Sequence, residues 1–187
     1  MYPANITRDE AAQRSAMIAT HSYQVTVDLS GRVPDAEPYD AEETFVSTST
    51  VRFTSRGGRT WINLIAERVL AATLDGRPLA SELADHRLEF DAAAGEHELT
   101  VSALCRYSRT GEGLHRFVDP VDGLVYCYTQ LETADARRMY ACFEQPDLKA
   151  TFALTVIAPA DWTVLSNSPE VEPTPAVEGL GRWEFAP

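Results

Sequence analysis

Residues 23–29 read Tyr-Gln-Val-Thr-Val-Asp-Leu, so that every second side chain is apolar. This period of two is typical of a β-strand that buries one face and exposes the other. Similar short runs recur along the chain with turn residues between them. The sequence therefore predicts a mainly β fold, a saddle-shaped antiparallel β-sheet or sandwich. The further predicted strands are Phe45–Phe53, Trp61–Leu64, Val69–Leu74, His86–Phe90, His97–Tyr107, Val125–Thr129 and Thr151–Ile157.

Glycine marks the predicted breaks between these strands. Gly57-Gly58 predicts a turn before Trp61, and Asp75-Gly76 predicts a tight hairpin. A loop that ends at Gly95 is expected to separate two further strands. Near the end of the chain, Arg182–Pro187 has the pattern of a strand and is interpreted as one that is cut short.

One short helix is predicted before the strands. Thr7 and Glu10 have the spacing of a capping box, and an Ala-rich run to about Ala19 follows them. We expect this helix to lie against the sheet. The chain is accordingly interpreted as a single domain, with residues 1–20 as helix and lead-in and residues 21–187 as the β-domain.

The composition excludes some classes of partner. The chain has 187 residues, of which 44% are hydrophobic and 24% charged, as expected for a globular domain with a core of its own. A net charge of -12 argues against a nucleic-acid partner, because nothing would neutralise a run of phosphates. We interpret this charge as favouring solubility, and alternatively as a field that gathers cationic substrates.

Cysteine usage and the first residues predict the compartment. Cys105, Cys127 and Cys142 are widely spaced, which favours reduced thiols over a disulfide framework or a zinc cluster. The first twenty residues carry several charges and no apolar stretch like that of a secretory signal. No run reaches the length of a membrane span. We therefore expect a soluble, cytoplasmic chain without a membrane partner.

No complete catalytic constellation is found among the residues. His97-Glu98 begins like the zinc motif H-E-x-x-H, but the fifth residue is Val101 and the surrounding pattern is that of a strand. No G-x-S-x-G elbow is present, and no glycine run matches a phosphate-binding loop. Cys142 is interpreted as a buried structural thiol. We predict that no catalytic residue and no metal ligand lie in this chain; ordinary packing or surface roles are expected for His21, His86 and His115.

The segment Tyr128–Phe152 stands apart from the strand pattern. It reads Tyr-Thr-Gln-Leu-Glu-Thr-Ala-Asp-Ala-Arg-Arg-Met-Tyr-Ala-Cys-Phe-Glu-Gln-Pro-Asp-Leu-Lys-Ala-Thr-Phe. It closely resembles the signature of the aminopeptidase N family of zinc metallopeptidases, and of its actinobacterial members in particular. In that signature T-Q-F-E leads into A-R-R and then C-F-D-E-P-x-x-K-A-x-F. The resemblance extends to Ile6–Ala11, to Gly113-Leu114 with Asp119-Pro120, and to Leu165–Asn167, and so covers nearly the whole chain.

Two positions depart from the family signature. Glu144-Gln145 stands where the family has Asp-Glu, and Leu131 stands where Phe is common. We expect the loop with Glu144 and Gln145 to brace the fold and its domain contacts. Arg137 and Arg138 are expected to pair with nearby carboxylates or to brace the turn.

The resemblance implies a parent enzyme that removes N-terminal amino acids from peptides, a zinc metalloaminopeptidase of the membrane alanyl aminopeptidase type. In the family a thermolysin-like domain holds the zinc through H-E-x-x-H and a downstream Glu, and it contributes G-x-M-E-N; neither motif occurs in this sequence. The resemblance thus implies zinc in the full-length enzyme, with none bound by this chain. It also implies that this chain covers the active site and is inactive alone.

The resemblance also implies the substrate contacts. A Gln/Glu pair of the N-terminal domain helps to hold the substrate's free α-amino group, and Gln130 and Glu132 match that pair. An ammonium group has three donors, which suits a carboxylate together with an amide oxygen. At i and i+2 of an extended segment, the two side chains are expected on the same face.

A stand-alone β-sandwich module that binds proteins or carbohydrates is the alternative interpretation. Trp61, Trp162 and Trp183 lie far apart in the sequence, which argues against an aromatic platform for sugars. The reading frame beyond Pro187 separates the two hypotheses, because only the enzyme continues into the two missing motifs.

Overall fold

The computed structural model describes residues 5–31, 39–177 and 179–187; residues 1–4 of the predicted lead-in lie outside this description. The helix α1 spans Arg8–Met17, and the capping box is confirmed. The backbone N–H of Glu10 donates to Thr7 Oγ1 over 3.2 Å, and the backbone N–H of Thr7 donates to Glu10 Oε2 over 2.9 Å. The helix ends two residues before the expected position, because Ile18 is already extended (φ -114°, ψ 134°) and begins the first strand.

In the residues that the structure describes, ten strands follow the helix and form two sheets. The larger sheet has the order β4-β3-β5-β2-β1-β8-β10-β9, and β6 and β7 form the smaller one. Neighbouring strands are antiparallel except β1 and β8, which are parallel. The predicted mainly β fold with one short helix is confirmed. The strands are β1 (Ile18–Asp28), β2 (Thr44–Asn63), β3 (Arg68–Leu74), β4 (Arg77–Pro78), β5 (Arg87–Arg106), β6 (Gly113–Val118), β7 (Val125–Gln130), β8 (Thr151–Pro159), β9 (Thr174–Pro175) and β10 (Leu180–Phe185).

The predicted breaks at Gly57-Gly58 and before Gly95 are wrong. Both glycine positions lie inside strands of 20 residues, β2 and β5, which pair from Thr44 opposite Arg106 to Asn63 opposite Arg87. Gly57 and Gly58 have φ values of 94° and 138°, which are open to glycine. These residues therefore adopt backbone conformations that favour glycine without ending the pairing of the two strands, which periodicity in a single segment could not reveal.

Other local predictions agree with the structure. Asp75 and Gly76 connect β3 to β4 with φ values of 52° and 74°, as a two-residue hairpin with positive φ at both positions requires. The strand expected near the end of the chain is β10. The strand β6 was not among those predicted, although Leu114 is buried and two aromatic rings follow it at alternate positions.

The core lies where β1, β2 and β5 meet, and it fixes the segment that follows Arg137 and Arg138. Val25, Phe53 and Leu99 are at most 1% exposed. Ser49 Oγ donates to the carbonyl of Ala141 over 2.9 Å, and the backbone N–H of Phe143 donates to Tyr23 Oη over 3.0 Å. Residues 141–143 are therefore tied to the central strands. Within the described ranges, no helix is long and apolar enough to cross a membrane.

Candidate functional site

The smaller sheet positions Gln130. Strand β7 pairs antiparallel with β6, and Gln130 is its last residue, opposite Gly113. The side chain of Gln130 is exposed. The sheet thus presents an amide group to solvent at the point where β7 ends.

Glu132 follows two residues later and is linked to Gln130. Its backbone N–H donates to Gln130 Oε1 over 3.3 Å, and its side chain is exposed. The Glu132–Thr133 peptide bond is cis. Among the described residues, no side chain pairs with the Glu132 carboxylate. The structure therefore brings the two predicted residues together at one strand end and leaves a free carboxylate there.

Arg137 braces the turn formed by residues 131–138. Its side chain is 4% exposed, and its Nε donates to the carbonyl of Ala134 over 2.9 Å. Its Nη2 donates to Asn5 Oδ1 over 3.0 Å, and its own carbonyl accepts from the backbone N–H of Ile65 over 2.6 Å. A buried guanidinium that donates to a backbone carbonyl and to an amide oxygen holds the geometry of the surrounding backbone. This is the bracing role expected for Arg137.

Arg138 holds the turn against β6. Its Nε lies 2.7 Å from Asp135 Oδ1, and its Nη2 lies 4.0 Å from Glu112 Oε1. Gly113 makes room for it, since a Cβ on Gly113 would come within 2.8 Å of Arg138 Cβ, and the φ of Gly113 is 67°. The position opposite Gln130 therefore has to be glycine, and Arg138 has the expected carboxylate partners.

Glu144 and Gln145, which stand where the family signature has Asp-Glu, both act as braces. Glu144 Oε2 accepts a hydrogen bond from the backbone N–H of Arg137 over 2.6 Å. Burial of Glu144 raises the pKa of its carboxyl, against the effect of that hydrogen bond. Gln145 is buried and donates to the carbonyl of Ala11 over 3.0 Å, while its Oε1 accepts from Arg14 Nε over 2.9 Å. Glu144 thus contacts the 131–138 turn, and Gln145 contacts helix α1.

The residues present do not fit a zinc ion. In the part of the chain that the structure describes, no group of three or more His, Cys, Asp or Glu side chains is placed to hold a metal. His97 lies on β5, and its Nδ1 lies 2.8 Å from Asp75 Oδ2. Cys142 is buried, and this burial raises the pKa of its thiol well above the usual range. The chemical capacity of the site is therefore that of Gln130 and Glu132, which can accept hydrogen bonds from a cation.

Sequence reasoning missed several parts of this arrangement. The partner strand β6, the contact of Asn5 with Arg137 and the steric need for Gly113 were not expected. Alternation of apolar residues in Leu114–Val118 could have indicated β6. The contact between Asn5 and Arg137 joins residues 132 positions apart and leaves no local signal.

Comparisons with known proteins agree with this architecture. The family model described as the peptidase M1 N-terminal domain matches residues 19–187. Aminopeptidase N of Streptomyces lividans is 47% identical over 98% of this chain, which covers 20% of that protein. Aminopeptidase N of Bos taurus is 42% identical over 32% of the chain and 6% of its own length. The chain thus spans a small part of the curated relatives it matches.

A solved structure shares the fold. The crystal structure of a mutant M1 zinc metallopeptidase from Deinococcus radiodurans superimposes with a TM-score of 0.69 and 18% identity. The superposition covers 90% of this chain and 38% of that one. By its family model and by its similarity to the Streptomyces protein along nearly its whole length, the chain belongs to the family of peptidase M1 N-terminal domains.

Proposed function

We propose that this chain is the N-terminal domain of a zinc-dependent aminopeptidase and that Gln130 and Glu132 bind the free α-amino group of the peptide substrate. The observation that carries the proposal is the exposed pair at the end of β7, in which Glu132 N–H lies 3.3 Å from Gln130 Oε1. Membership in the M1 family and the relatives named aminopeptidase N support it.

The two groups complement an ammonium ion. The Glu132 carboxylate offers charge, and it lacks a pairing side chain among the described residues. Gln130 Oε1 has a second lone pair beyond the one that accepts from Glu132. Holding the first amino group of a peptide would place the first peptide bond, and no later one, at the reacting centre. Exopeptidase selectivity follows from that restriction.

The remaining chemistry of such an enzyme belongs to another part of the polypeptide. Residues 1–187 form the N-terminal domain, which helps to cover the active site. The zinc ion and the general base belong to a thermolysin-like domain that follows it. Since the described residues offer no metal site, we expect this chain to be inactive alone. A cytoplasmic location is proposed with it, which three free cysteines support.

The test needs the whole enzyme, meaning this chain joined to the peptidase part, either in its natural polypeptide or fused to the remainder of the Streptomyces protein. Glu132→Gln should lower kcat/KM for aminoacyl anilides about 10- to 100-fold, because a charged hydrogen bond to the ammonium is lost. Glu96→Gln is the matched control, since Glu96 is exposed on β5. Equal kinetics for Glu132→Gln and the control would refute the amine-binding role.

Two further measurements test the associated claims. Gln130→Ala should weaken substrate binding in the same assay, by less than the change at Glu132 because it removes a neutral acceptor. The isolated chain, supplied with zinc, should hydrolyse no aminoacyl anilide. Zinc-dependent hydrolysis by the isolated chain would contradict the assignment of the catalytic groups to another domain.

A further inference from the structure

Glu132 lies in a turn that its own backbone closes. The N–H of Asp135 donates to the carbonyl of Leu131 over 3.1 Å, so residues 131–135 form one loop that contains Glu132. Leu131 packs against the core, whereas Glu132 and Thr133 are exposed. The position of the Glu132 carboxylate therefore depends on what holds the later part of this turn.

A buried arginine holds that later part. Arg137 Nε donates to the carbonyl of Ala134, two residues beyond Glu132, over 2.9 Å. Arg137 is 4% exposed, so water competes little for this bond. A second nitrogen of the guanidinium, Nη2, donates to Asn5 Oδ1 over 3.0 Å. Because a guanidinium is planar and rigid, the contact of Nη2 with Asn5 sets the direction in which Nε points.

Asn5 is placed by the start of helix α1. It lies two residues before Thr7, whose capping box with Glu10 fixes the first turn of the helix. Glu10 also forms an ion pair with Arg87, the first residue of β5. The segment before the helix is thus anchored to the larger sheet, although Asn5 itself is exposed.

We propose that Asn5 and Arg137 are positioning residues of the amine site, and that the segment before helix α1 thereby sets the affinity of the enzyme for a free α-amino group. This inference rests on the proposed function of Gln130 and Glu132. A binding group has to be held within about 0.5 Å of its productive position. Without the Asn5 contact, the guanidinium of Arg137 can turn away from the Ala134 carbonyl, and the Glu132 carboxylate then moves relative to the Gln130 amide. This effect requires no contact of Asn5 or Arg137 with the substrate.

The test compares two zinc-binding probes on the whole enzyme. Leucine hydroxamate carries a free α-amino group, and isocaprohydroxamic acid is the same molecule without it. Calorimetry should show that Asn5→Ala weakens the binding of leucine hydroxamate about three- to tenfold, as expected for the loss of one neutral hydrogen bond. The binding of isocaprohydroxamic acid should change less than about twofold, because this probe has no amine to position.

Asn5→Asp is the matched control, since it keeps an oxygen that can accept from Arg137 Nη2. It should bind leucine hydroxamate no more weakly than the wild type does. Equal weakening of both probes by Asn5→Ala would assign Asn5 a general structural role and overturn the proposal. Unchanged binding of both probes would overturn it as well.

Glu132→Gln, measured with the same probes, separates this inference from the proposed function. If Glu132→Gln selectively weakens the binding of leucine hydroxamate and Asn5→Ala does not, the amine-binding role stands and the positioning role fails. If Glu132→Gln weakens neither probe selectively, the amine-binding role fails, and the positioning role fails with it.

A double-mutant cycle tests the coupling of the two positioning residues. Arg137→Lys keeps the charge, but a single ammonium on a flexible chain lacks the planar fork that joins Asn5 to the turn. Asn5→Ala added to Arg137→Lys should therefore weaken the binding of leucine hydroxamate by less than about twofold beyond the effect of Arg137→Lys alone. Effects that multiply would show that the two residues act independently, and would contradict the proposal.

Discussion

Arg14 Nε donates a hydrogen bond of 2.9 Å to Gln145 Oε1, which joins the N-terminal helix to the loop that follows the 131–138 turn. The guanidinium is 2% exposed and lies over the ring of Trp61, 4.8 Å from its centroid. Its Nη1 donates to Asn63 Oδ1 over 3.2 Å. These acceptors are neutral, and burial lowers the pKa of Arg14 to about 10. The departure from the family's Glu at position 145 thus leaves a buried cation held by amides and aromatic rings.

Replacement of Arg14 should therefore be costly. Arg14→Leu would leave Gln145 Oε1 and Asn63 Oδ1 buried without their donor, and we expect a loss of about 2–4 kcal/mol in the free energy of unfolding. Urea denaturation measures this loss. Arg8→Leu, on the exposed side of the same helix, is the control and should change stability by less than about 0.5 kcal/mol. Equal losses at the two positions would show that the buried contacts of Arg14 contribute nothing.

Local sequence signals predicted the elements that depend on neighbouring residues. The capping box of Thr7 and Glu10 and the hairpin at Asp75-Gly76 are set by backbone groups at most three positions away, and both were found. The parallel pairing of β1 with β8 joins Ser22 to Thr151, and nothing near either residue encodes it. The burial of Arg14 likewise has no local signal in the sequence, because its acceptors lie on β2 and at Gln145, far along the chain.

The pH dependence of stability tests whether the contacts of Glu10 at the start of helix α1 stabilise the fold. Arg87 Nη1 lies 2.5 Å from Glu10 Oε1, and this hydrogen bond, with that from Thr7, lowers the pKa of Glu10 from 4.5 to about 2. A lowered carboxyl pKa stabilises the fold above pH 4.5, and that contribution is lost as the pH falls toward 2. Glu10→Gln should be about 1 kcal/mol less stable than the wild type at pH 7. The difference should shrink at pH 3.

Asp9→Asn provides the control for this prediction, because it removes an exposed charge from the same helical turn. Its difference from the wild type should be smaller at pH 7. A difference for Glu10→Gln that stays constant between pH 7 and pH 3 would mean that the ion pair with Arg87 does not stabilise the folded state.

The contribution of His97 to stability should depend on pH in the opposite direction to that of Glu10, and be larger in mild acid than in base. Burial disfavours its charged form, but hydrogen bonds to Asp75 and to the carbonyl of Ala93 outweigh this and raise the pKa of His97 above 6.5. Its contribution is complete below pH 6.5 and is lost as the pH rises through the raised value. Burial disfavours the Asp75 carboxylate, but hydrogen bonds from the backbone N–H of Glu98 and from His97 outweigh this and lower the pKa of Asp75 below 3.8, so the contribution is also lost in strong acid.

The measurement is the difference in unfolding free energy between the wild type and His97→Gln at pH 5.5 and pH 8.5. We expect a larger difference at pH 5.5, by up to about 1 kcal/mol, since Asp75 is 45% exposed. A constant loss from the packing of His97 on Phe53 should be present at both values.

Part of the candidate site, the residues Gln130 and Glu132, could be predicted from the sequence. Similarity to a family signature selected Gln130 and Glu132, and the structure places them at one strand end. The signature could not predict the contacts that hold the turn beside these two residues. Arg137 contacts Asn5, and Gly113 accommodates Arg138, through contacts that arise only when β6 and the chain's first residues come together.

Glu144 supports the 131–138 turn by accepting a hydrogen bond from the backbone N–H of Arg137. Burial raises the pKa of its carboxyl above 4.5, so the ionised form costs stability at neutral pH, and this cost disappears as the pH falls below 4.5. Glu144→Gln keeps an oxygen that can accept from Arg137 N–H and removes the buried charge. It should be more stable than the wild type at pH 7 and lose that advantage at pH 4.

Glu144→Ala leaves the backbone N–H of Arg137 without its acceptor. It should lower the free energy of unfolding by about 1–3 kcal/mol at both pH values. Urea denaturation of the three proteins distinguishes these outcomes, and a Gln variant as unstable as the Ala variant would show that the charge of Glu144 is needed to hold the turn.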